Sequence, residues 1–385
     1  MTRNAKIQLL LVSCLLFSLA CGGPRIIPVG DAGSNTEVDA GRTDSGKTEP
    51  IDSGTIDSGT VTTTDSGVAD SGIIVTRTGV RFVAFGDQGK GNSAQYAVGA
   101  AVGRVCAASG CDFVLLLGDN FYQSGPTSTT DPAWQTAFVL PYASVDAGFY
   151  VTLGNHDYGK DGQGTDFGSE QPELDYSAIN PKWILPAHHY RFSAGDGEFF
   201  SADTNRSMLR KCRSSNPLCG GVNGDDSQVR NDFTSWLASS TAKWKIVFGH
   251  HCYLSNGKHG NAGNYDNLRF LPIANGDGVK QFDEDTVCGK ADIYLNGHDH
   301  VREWISTTCT RNLADGGAGV NTEIITSGGG ASVEGFQGAE MNPFHWHAAS
   351  SGFFYGVVDG NTFTGSFYDA DGGLEYTRTL TKQGR

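Results

Sequence analysis

At 385 residues and a net charge of −14, the chain is long enough for a large α/β domain but lacks the basic footprint of a nucleic-acid-binding surface. Its 53 glycines and only 18% charged residues favour a loop-rich fold over a helical bundle. An acidic protein repels anions at long range, so any anionic ligand would need a local cationic site, for which bound metal is the natural source.

Residues 1–20 have the form of a signal peptide. Arg3 and Lys6 supply positive charge, Leu9 to Leu16 supply an apolar core too short for an ordinary membrane-spanning helix, and Ser18-Leu19-Ala20 precedes Cys21. Small residues before a cysteine resemble a bacterial lipoprotein signal, with Cys21 as the lipid-anchored first residue, although Ser18 stands where Leu is commonest. Cleavage nearby to give a soluble secreted protein is the alternative. The expected location is the bacterial cell envelope, at the outer membrane or cell surface, with membrane contact through the lipid anchor only. Residues 22–76 repeat Asp-Ser-Gly five times, from Asp44, Asp52, Asp57, Asp65 and Asp70, without a single aromatic. Such a segment cannot build a core and reads as a disordered acidic linker. Residues 77–385 read as one folded domain.

Export permits disulfides. Beyond Cys14 and Cys21, Cys106 with Cys111 and Cys212 with Cys219 are spaced to close small loops. Cys288 could pair with Cys309, which leaves Cys252 over, and pairings that include Cys252 stay open.

Within the folded domain, short apolar runs alternate with other segments. Val80–Phe85 ends at Gly86-Asp87, and a helical stretch over about 92–108 comes next. Phe113–Leu117 then ends at Gly118-Asp119, and Phe149–Leu153 at Gly154-Asn155. Trp244–Phe248 precedes Gly249-His250, and Ile293–Leu295 precedes Asn296-Gly297-His298. Runs of this length, bounded by glycine, predict buried strands of an α/β sheet, with further strands between Thr322 and about Leu380.

Each junction places a polar side chain just past a strand end, where ligand sites of open α/β sheets form. Singly, a Gly-Asp step is a turn and a lone histidine is structural. Together, carboxylates, an amide oxygen and imidazoles on one rim suit first-row metals such as Fe, Zn or Mn. The alternation of a strand puts His298 and His300 on one face.

The ordered set Gly86-Asp87-Gln88-Gly89, Gly118-Asp119-Asn120-Phe121-Tyr122, Gly154-Asn155-His156-Asp157, Gly249-His250-His251 and Gly297-His298-Asp299-His300 resembles the calcineurin-like metallophosphoesterases. Tyr122, three residues after Asp119, and His259, nine after His250, resemble the small, tartrate-resistant type of purple acid phosphatase. His251-Cys252 departs from the Tyr-Pro or His-Pro common there. The resemblance implies a four-layer metallophosphoesterase fold, two packed mixed β-sheets flanked by helices, with a dimetal site at the strand C-terminal ends. It further implies that Asp87, Asp119, Tyr122 and His300 hold one metal, Fe(III), and that Asp119, Asn155, His250 and His298 hold a second, Fe(II), Zn or Mn.

The chemistry implied is hydrolysis of phosphate monoesters by metal-activated hydroxide, since two metals clamp the phosphate oxygens and lower the pKa of a bound water. His156 and His259 are candidates to bind phosphate or protonate the leaving group, and Asp157 to orient His156 or merely to cap its turn. The expected substrates are phosphorylated small molecules or phosphoproteins. A phosphodiesterase acting on nucleotides or lipid head groups, and a non-catalytic surface lipoprotein that binds metal or phosphate, are the competing readings. His188-His189 and His345-Trp346-His347 read as structural, and Gly328-Gly329-Gly330 as close packing near the metal centre.

Overall fold

The computed structural model describes residues 79–309, 319–336 and 341–383. The signal, Cys21 and the acidic linker expected from the sequence lie outside the described residues. Within them the elements run β1 (Val80–Phe85), α1 (Ser93–Ser109), β2 (Phe113–Leu117), β3 (Gly148–Thr152), α2 (Gln171–Tyr176), β4 (Trp183–Ile184), β5 (Tyr190–Ala194) and β6 (Gly197–Ser201). They continue with α3 (Thr204–Met208), α4 (Ser227–Ser239), β7 (Trp244–Phe248), α5 (Asp277–Phe282), β8 (Ile293–Asn296), β9 (Arg302–Ile305), β10 (Glu323–Ser327), β11 (Phe344–Ala348), β12 (Gly352–Asp359), β13 (Thr362–Asp369) and β14 (Leu374–Thr381).

These strands form two seven-stranded sheets, ordered β14-β13-β12-β1-β2-β3-β4 and β11-β9-β10-β8-β7-β6-β5. Both are mixed. In the first, β1 to β4 are parallel and β12 closes onto β1 antiparallel. In the second, β10, β8, β7 and β6 are parallel and the outer strands antiparallel. Both faces of the parallel strands are covered, and β2 (Phe-Val-Leu-Leu-Leu) is accordingly apolar and buried at every position.

The inner faces meet through aromatic rings. Phe82 of β1 lies edge-on to Phe199 of β6 with centroids 5.3 Å apart, and Trp304 of β9 meets Phe354 of β12 at 6.1 Å. Each such fully buried ring contributes about 1.5–3 kcal/mol. Helices cover the outer faces. In α1, Asn92 caps the start by accepting from the Gln95 amide, and Val98, Val102 and Val105 join the core beneath the first sheet. On the second sheet, Val229, Phe233 and Leu237 of α4 cover Phe200, Val247 and Tyr294. The order helix, sheet, sheet, helix is the four-layer arrangement expected from the motifs.

Three disulfides, Cys106–Cys111, Cys212–Cys219 and Cys288–Cys309, match the expected pairing, and Cys252 is buried and free. No helix among the described residues is long and apolar enough to cross a membrane.

Candidate metal centre

Parallel strands that start together also end together, so the register of each sheet brings its Gly-polar junctions to one rim. Asp87, Asp119 and Asn155 leave the ends of β1, β2 and β3, while His250 and His298 leave the ends of β7 and β8. The turns are tight. Asp87, Asp119 and His298 hold left-handed backbone conformations, at φ of 61°, 52° and 68°, which non-glycine residues adopt only where the surroundings compel it. The glycines before them are required for room. A Cβ on Gly118 would sit 2.7 Å from His250 Nδ1, and one on Gly154 would collide with Asp119 Oδ1.

Asp119 stands at the centre with its two oxygens facing opposite ways. Oδ2 accepts from the Tyr122 hydroxyl at 2.9 Å, and that hydroxyl also lies 3.2 Å from both Asp87 Oδ1 and His300 Nε2. Oδ1 faces His250 Nε2 at 3.3 Å and accepts the His156 amide at 2.9 Å. His250 Nε2 in turn lies 3.0 Å from Asn155 Oδ1 and 3.2 Å from His298 Nδ1. All the residues expected as ligands therefore meet in one cluster, and ligand atoms of Asp87, Asp119 and His250 lie within 4.8 Å of one another.

Burial and neighbouring imidazoles hold His298 well below the ordinary histidine value, so it stays neutral and able to ligate. Burial works against the Asp119 charge, but His250, His156 and its hydrogen bonds outweigh it and the carboxylate stays ionised below its usual range. Tyr122 is pushed well above its ordinary value by burial and by Asp119 and Asp87. Without a cation it is thus a neutral phenol.

Asp157 differs from the orienting role expected of it. The His156 Nδ1–H goes to the Gln123 carbonyl at 2.7 Å. Asp157 instead accepts the amides of Gly154 at 2.7 Å, Asn120 at 2.9 Å and Phe121 at 3.2 Å, so it ties the β2 and β3 junctions together. The capping alternative describes it better. Asn120 serves the same joint: its Nδ2 donates to Thr152 O, Asp157 and Glu173, and its Oδ1 accepts from Gln88. Glu173 has no sequence signal, because it reaches this joint from α2, 53 residues away from Asn120. Burial and the neighbouring Asp157 charge raise its carboxyl well above the ordinary range.

The profile of the family described as calcineurin-like phosphoesterase matches residues 80–302, which include every one of these junctions. The chain belongs to this family. Among curated relatives, purple acid phosphatase 4 of Arabidopsis thaliana is 31% identical over 66% of this chain and 69% of its own length. Purple acid phosphatase 3 of the same plant is 31% identical over 68% of this chain, and this chain spans 66% of its length. Tartrate-resistant acid phosphatase type 5 of Oryctolagus cuniculus is 26% identical over 80% of this chain and 92% of its own.

Two solved structures share the fold. One is GAP50, described as the anchor in the inner membrane complex of Plasmodium, with a TM-score of 0.60 and 21% identity over 80% of this chain and 90% of its own. The other is the purple acid phosphatase PPD1 of yellow lupin, with a TM-score of 0.53 and 18% identity over 78% of this chain and 53% of its own. Family membership places the chain among the hydrolases, with a two-metal site of the kind this phosphoesterase family uses.

The donor set fits such a site. The Leu117 carbonyl 2.9 Å from His250 Nδ1 can only accept, so the ring keeps a hydrogen on Nδ1, and Nε2, whose lone pair is bare in the neutral imidazole, is turned to the cluster. The Asn155 Nδ2 donates to Gly162 O at 2.8 Å, which turns its oxygen toward that same lone pair. A nitrogen lone pair, an amide oxygen and a carboxylate oxygen converge with no hydrogen between them, and a cation is what satisfies that arrangement. His300 Nδ1 lies 2.7 Å from Ser332 Oγ, which holds the ring with Nε2 facing Asp87 Oδ1 at 3.4 Å.

His156 and His259 flank the cluster from opposite sides. His156 lies against Tyr122, ring centroids 4.4 Å apart, with Nε2 3.9 Å from Asp119 Oδ2. His259 stacks on His298 at 4.3 Å. Asp299, between His298 and His300, accepts the amides of His259 at 2.7 Å and Gly260 at 3.2 Å. These three residues lie in a bend past the end of β8, with His298 left-handed, rather than in a strand, so the alternation expected there does not hold and no local pattern marks Asp299.

Three other histidines have partners away from the cluster. His188 pairs with Glu170 and His189 with Asp232, while His347 stacks on Phe344 and Phe336. Gly328 borders Asp87, where a Cβ would come within 2.7 Å of Oδ2. A cavity of about 820 Å³ opens at the other end of the strands, near Trp244, Asp292 and Glu323, and takes no part in this centre.

Proposed function

We propose that the protein is an exported phosphomonoesterase of the purple acid phosphatase type, acting on phosphorylated small molecules or phosphoproteins. The observation that carries the reading is the convergence of bare donor atoms around a carboxylate whose two oxygens face two different ligand groups. Asp87, Asp119, Tyr122 and His300 would hold one metal, Fe(III). Asp119, Asn155, His250 and His298 would hold the other, Fe(II), Zn or Mn. When bound, the pair supplies a clamp on phosphate oxygens and an activated water.

The chain's own residues supply the rest. Asn155 contributes a neutral oxygen, which limits the negative charge that an incoming phosphate must meet. The Gln123 carbonyl fixes the His156 ring so that Nε2 faces the centre, where its protonated form donates to a phosphate oxygen. His259 stands on the other side with Nε2 without a partner among the described residues, placed to protonate a departing oxygen. Buried surroundings strengthen each of these interactions relative to water.

Disulfides within the domain support an oxidising compartment. With the signal over residues 1–20 they support a chain anchored through Cys21 and held off the membrane by the acidic stretch 22–76. Replacing Cys21→Ser should release the protein from the membrane fraction.

The deciding experiment pairs metal analysis and a visible spectrum with rates on 4-nitrophenyl phosphate and bis(4-nitrophenyl) phosphate. The expected result is two metals per chain, faster monoester turnover, and a visible band that Tyr122→Phe abolishes. Faster diester turnover would make the protein a phosphodiesterase. A metal-loaded protein that hydrolyses neither would be a binding protein.

A further inference from the structure

His259 is held by more than its neighbours in sequence. Its Nδ1 lies 3.0 Å from Asp266 Oδ1, and the Asp266 amide donates back to the His259 carbonyl at 3.0 Å, so the two residues are joined by both side chain and backbone. The carboxylate can only accept, which places the ring hydrogen on Nδ1 and leaves Nε2 as the nitrogen available to a ligand.

The turn that presents Asp266 is fixed independently of His259. Asp266 and Asn267 hold left-handed conformations, at φ of 52° and 61°. Such conformations persist only where the surroundings over-determine them. Tyr265 provides the restraint: it is fully buried, its amide donates to Asn275 O, its hydroxyl donates to Cys252 O, and Gly276 lies flat against its ring. On the opposite side, Asp299 pins the backbone of His259 and Gly260. His259 is thus held by two acids on separate loops, Asp299 at its backbone and Asp266 at its ring, while the ring face stacks on His298.

We propose that Asp266 is a positioning residue that fixes His259 as the proton donor to the leaving oxygen, and that this pair adapts the centre to alkyl phosphate monoesters. The inference rests on the phosphomonoesterase reading and deepens it. As the P–O bond to the leaving group breaks, the proton on His259 Nε2 passes to the departing oxygen, and neutral imidazole remains with its Nδ1–H still bonded to Asp266. A phenolate departs without that proton, whereas an alkoxide of serine or a sugar does not, so the pair matters in proportion to the basicity of the leaving oxygen.

The test compares wild type, Asp266→Asn, Asp266→Glu, His259→Ala and the Asp266→Asn/His259→Ala double variant, all metal-loaded, on phosphoserine and 4-nitrophenyl phosphate. Asp266→Asn should lower kcat/KM on phosphoserine about tenfold or more while changing it less than about threefold on 4-nitrophenyl phosphate. Asp266→Glu should recover most of the loss, and the double variant should be no slower than His259→Ala alone.

A ¹⁵N spectrum of labelled imidazoles gives a readout free of turnover. His259 should carry its hydrogen on Nδ1 in the wild type and lose that preference in Asp266→Asn. Equal losses on both esters, additive effects in the double variant, or a wild-type His259 protonated on Nε2 alone would each overturn this inference and leave the phosphatase reading standing. A metal-loaded wild type that cleaves neither ester would overturn the phosphatase reading, and the proton-donor role with it.

Discussion

The two sheets contribute different donor chemistries to the centre. Asp87, Asp119, Tyr122 and Asn155, from the first sheet, are all oxygen donors, while His250, His298 and His300, from the second, are all imidazoles. Hard oxygen ligands suit a trivalent iron and imidazoles suit softer divalent ions, yet each inferred site draws on both sheets. His300 crosses to the oxygen group through Asp87 and Tyr122, and Asn155 crosses to the imidazole group through His250. Both inferred sites therefore depend on the contact between the sheets as well as on the donors themselves.

Asp119→Ala breaks this arrangement at its joint. It should remove both metals and lower kcat by at least about a thousandfold, since the whole clamp is lost rather than one donor. Metal analysis of the purified variant checks the cause, and retention of either metal at full occupancy would show that Asp119 is not shared.

Next in size is the packing that holds the sheets in register. Phe82 is fully buried between Phe113, Phe199, Phe354 and Phe363. Phe82→Ala should cost about 3–5 kcal/mol in denaturant unfolding of the metal-free protein. It should also weaken metal affinity, because the cage depends on that packing.

A buried carboxylate also lies beside each of the loops that carry the two flanking histidines, Glu173 from α2 and Glu303 from β9. Glu173 braces the joint next to His156, and Glu303 accepts Ser255 Oγ at 2.8 Å and the Asn256 amide at 2.9 Å in the loop that leads to His259. Burial lifts the Glu303 carboxyl to about 7 against the bonds from Asn256 and Ser255 that pull it down. The folded state thus favours the neutral acid, so the stability it contributes is full below the unfolded value near 4.5 and is lost as pH rises through about 7. Glu303→Gln should abolish a fall in stability of up to about 3 kcal/mol across that window. Thermal unfolding at pH 4.5, 6 and 8 measures it, and parallel curves for the two proteins would refute it.

The smallest expected effect separates the flanking histidines. His156→Ala should lower kcat about a hundredfold on every monoester while retaining both metals. His259→Ala should act chiefly where the leaving oxygen is basic. A His156 variant that loses metal would mean the residue supports the cage rather than the reaction.

How much of this was legible beforehand depends on the range of the interactions. Strand ends at Phe85, Leu117 and Phe248 could be read directly, because each closes an apolar run that glycine stops, interrupted only by Arg81 in β1 and Lys245 in β7, and that pattern is local. β4, β5 and β9 could not, since β4 has two residues and β5 alternates buried with exposed positions in a segment rich in aromatics. The sequence leaves Asp157 open between orienting His156 and capping its turn. Its sequence neighbour His156 suggested a pair, while in space its nearest donors are the amides at the end of β2. Glu173 and Asp266 gave no signal at all, for an isolated acid on a short helix or turn looks the same whether it faces solvent or a buried joint.

By itself the sequence determined the ligand types, their order and the glycine that precedes each junction, because donor chemistry and turn sterics are properties of a few adjacent residues. Tertiary structure alone decided which oxygens face which nitrogens, that oxygen donors come from one sheet and imidazoles from the other, and that the Gln123 carbonyl and Asp266 hold the two flanking histidines. Those facts depend on register and packing between segments up to about 200 residues apart, as between Asp87 and the His298 amide, and no local pattern encodes a distance in space.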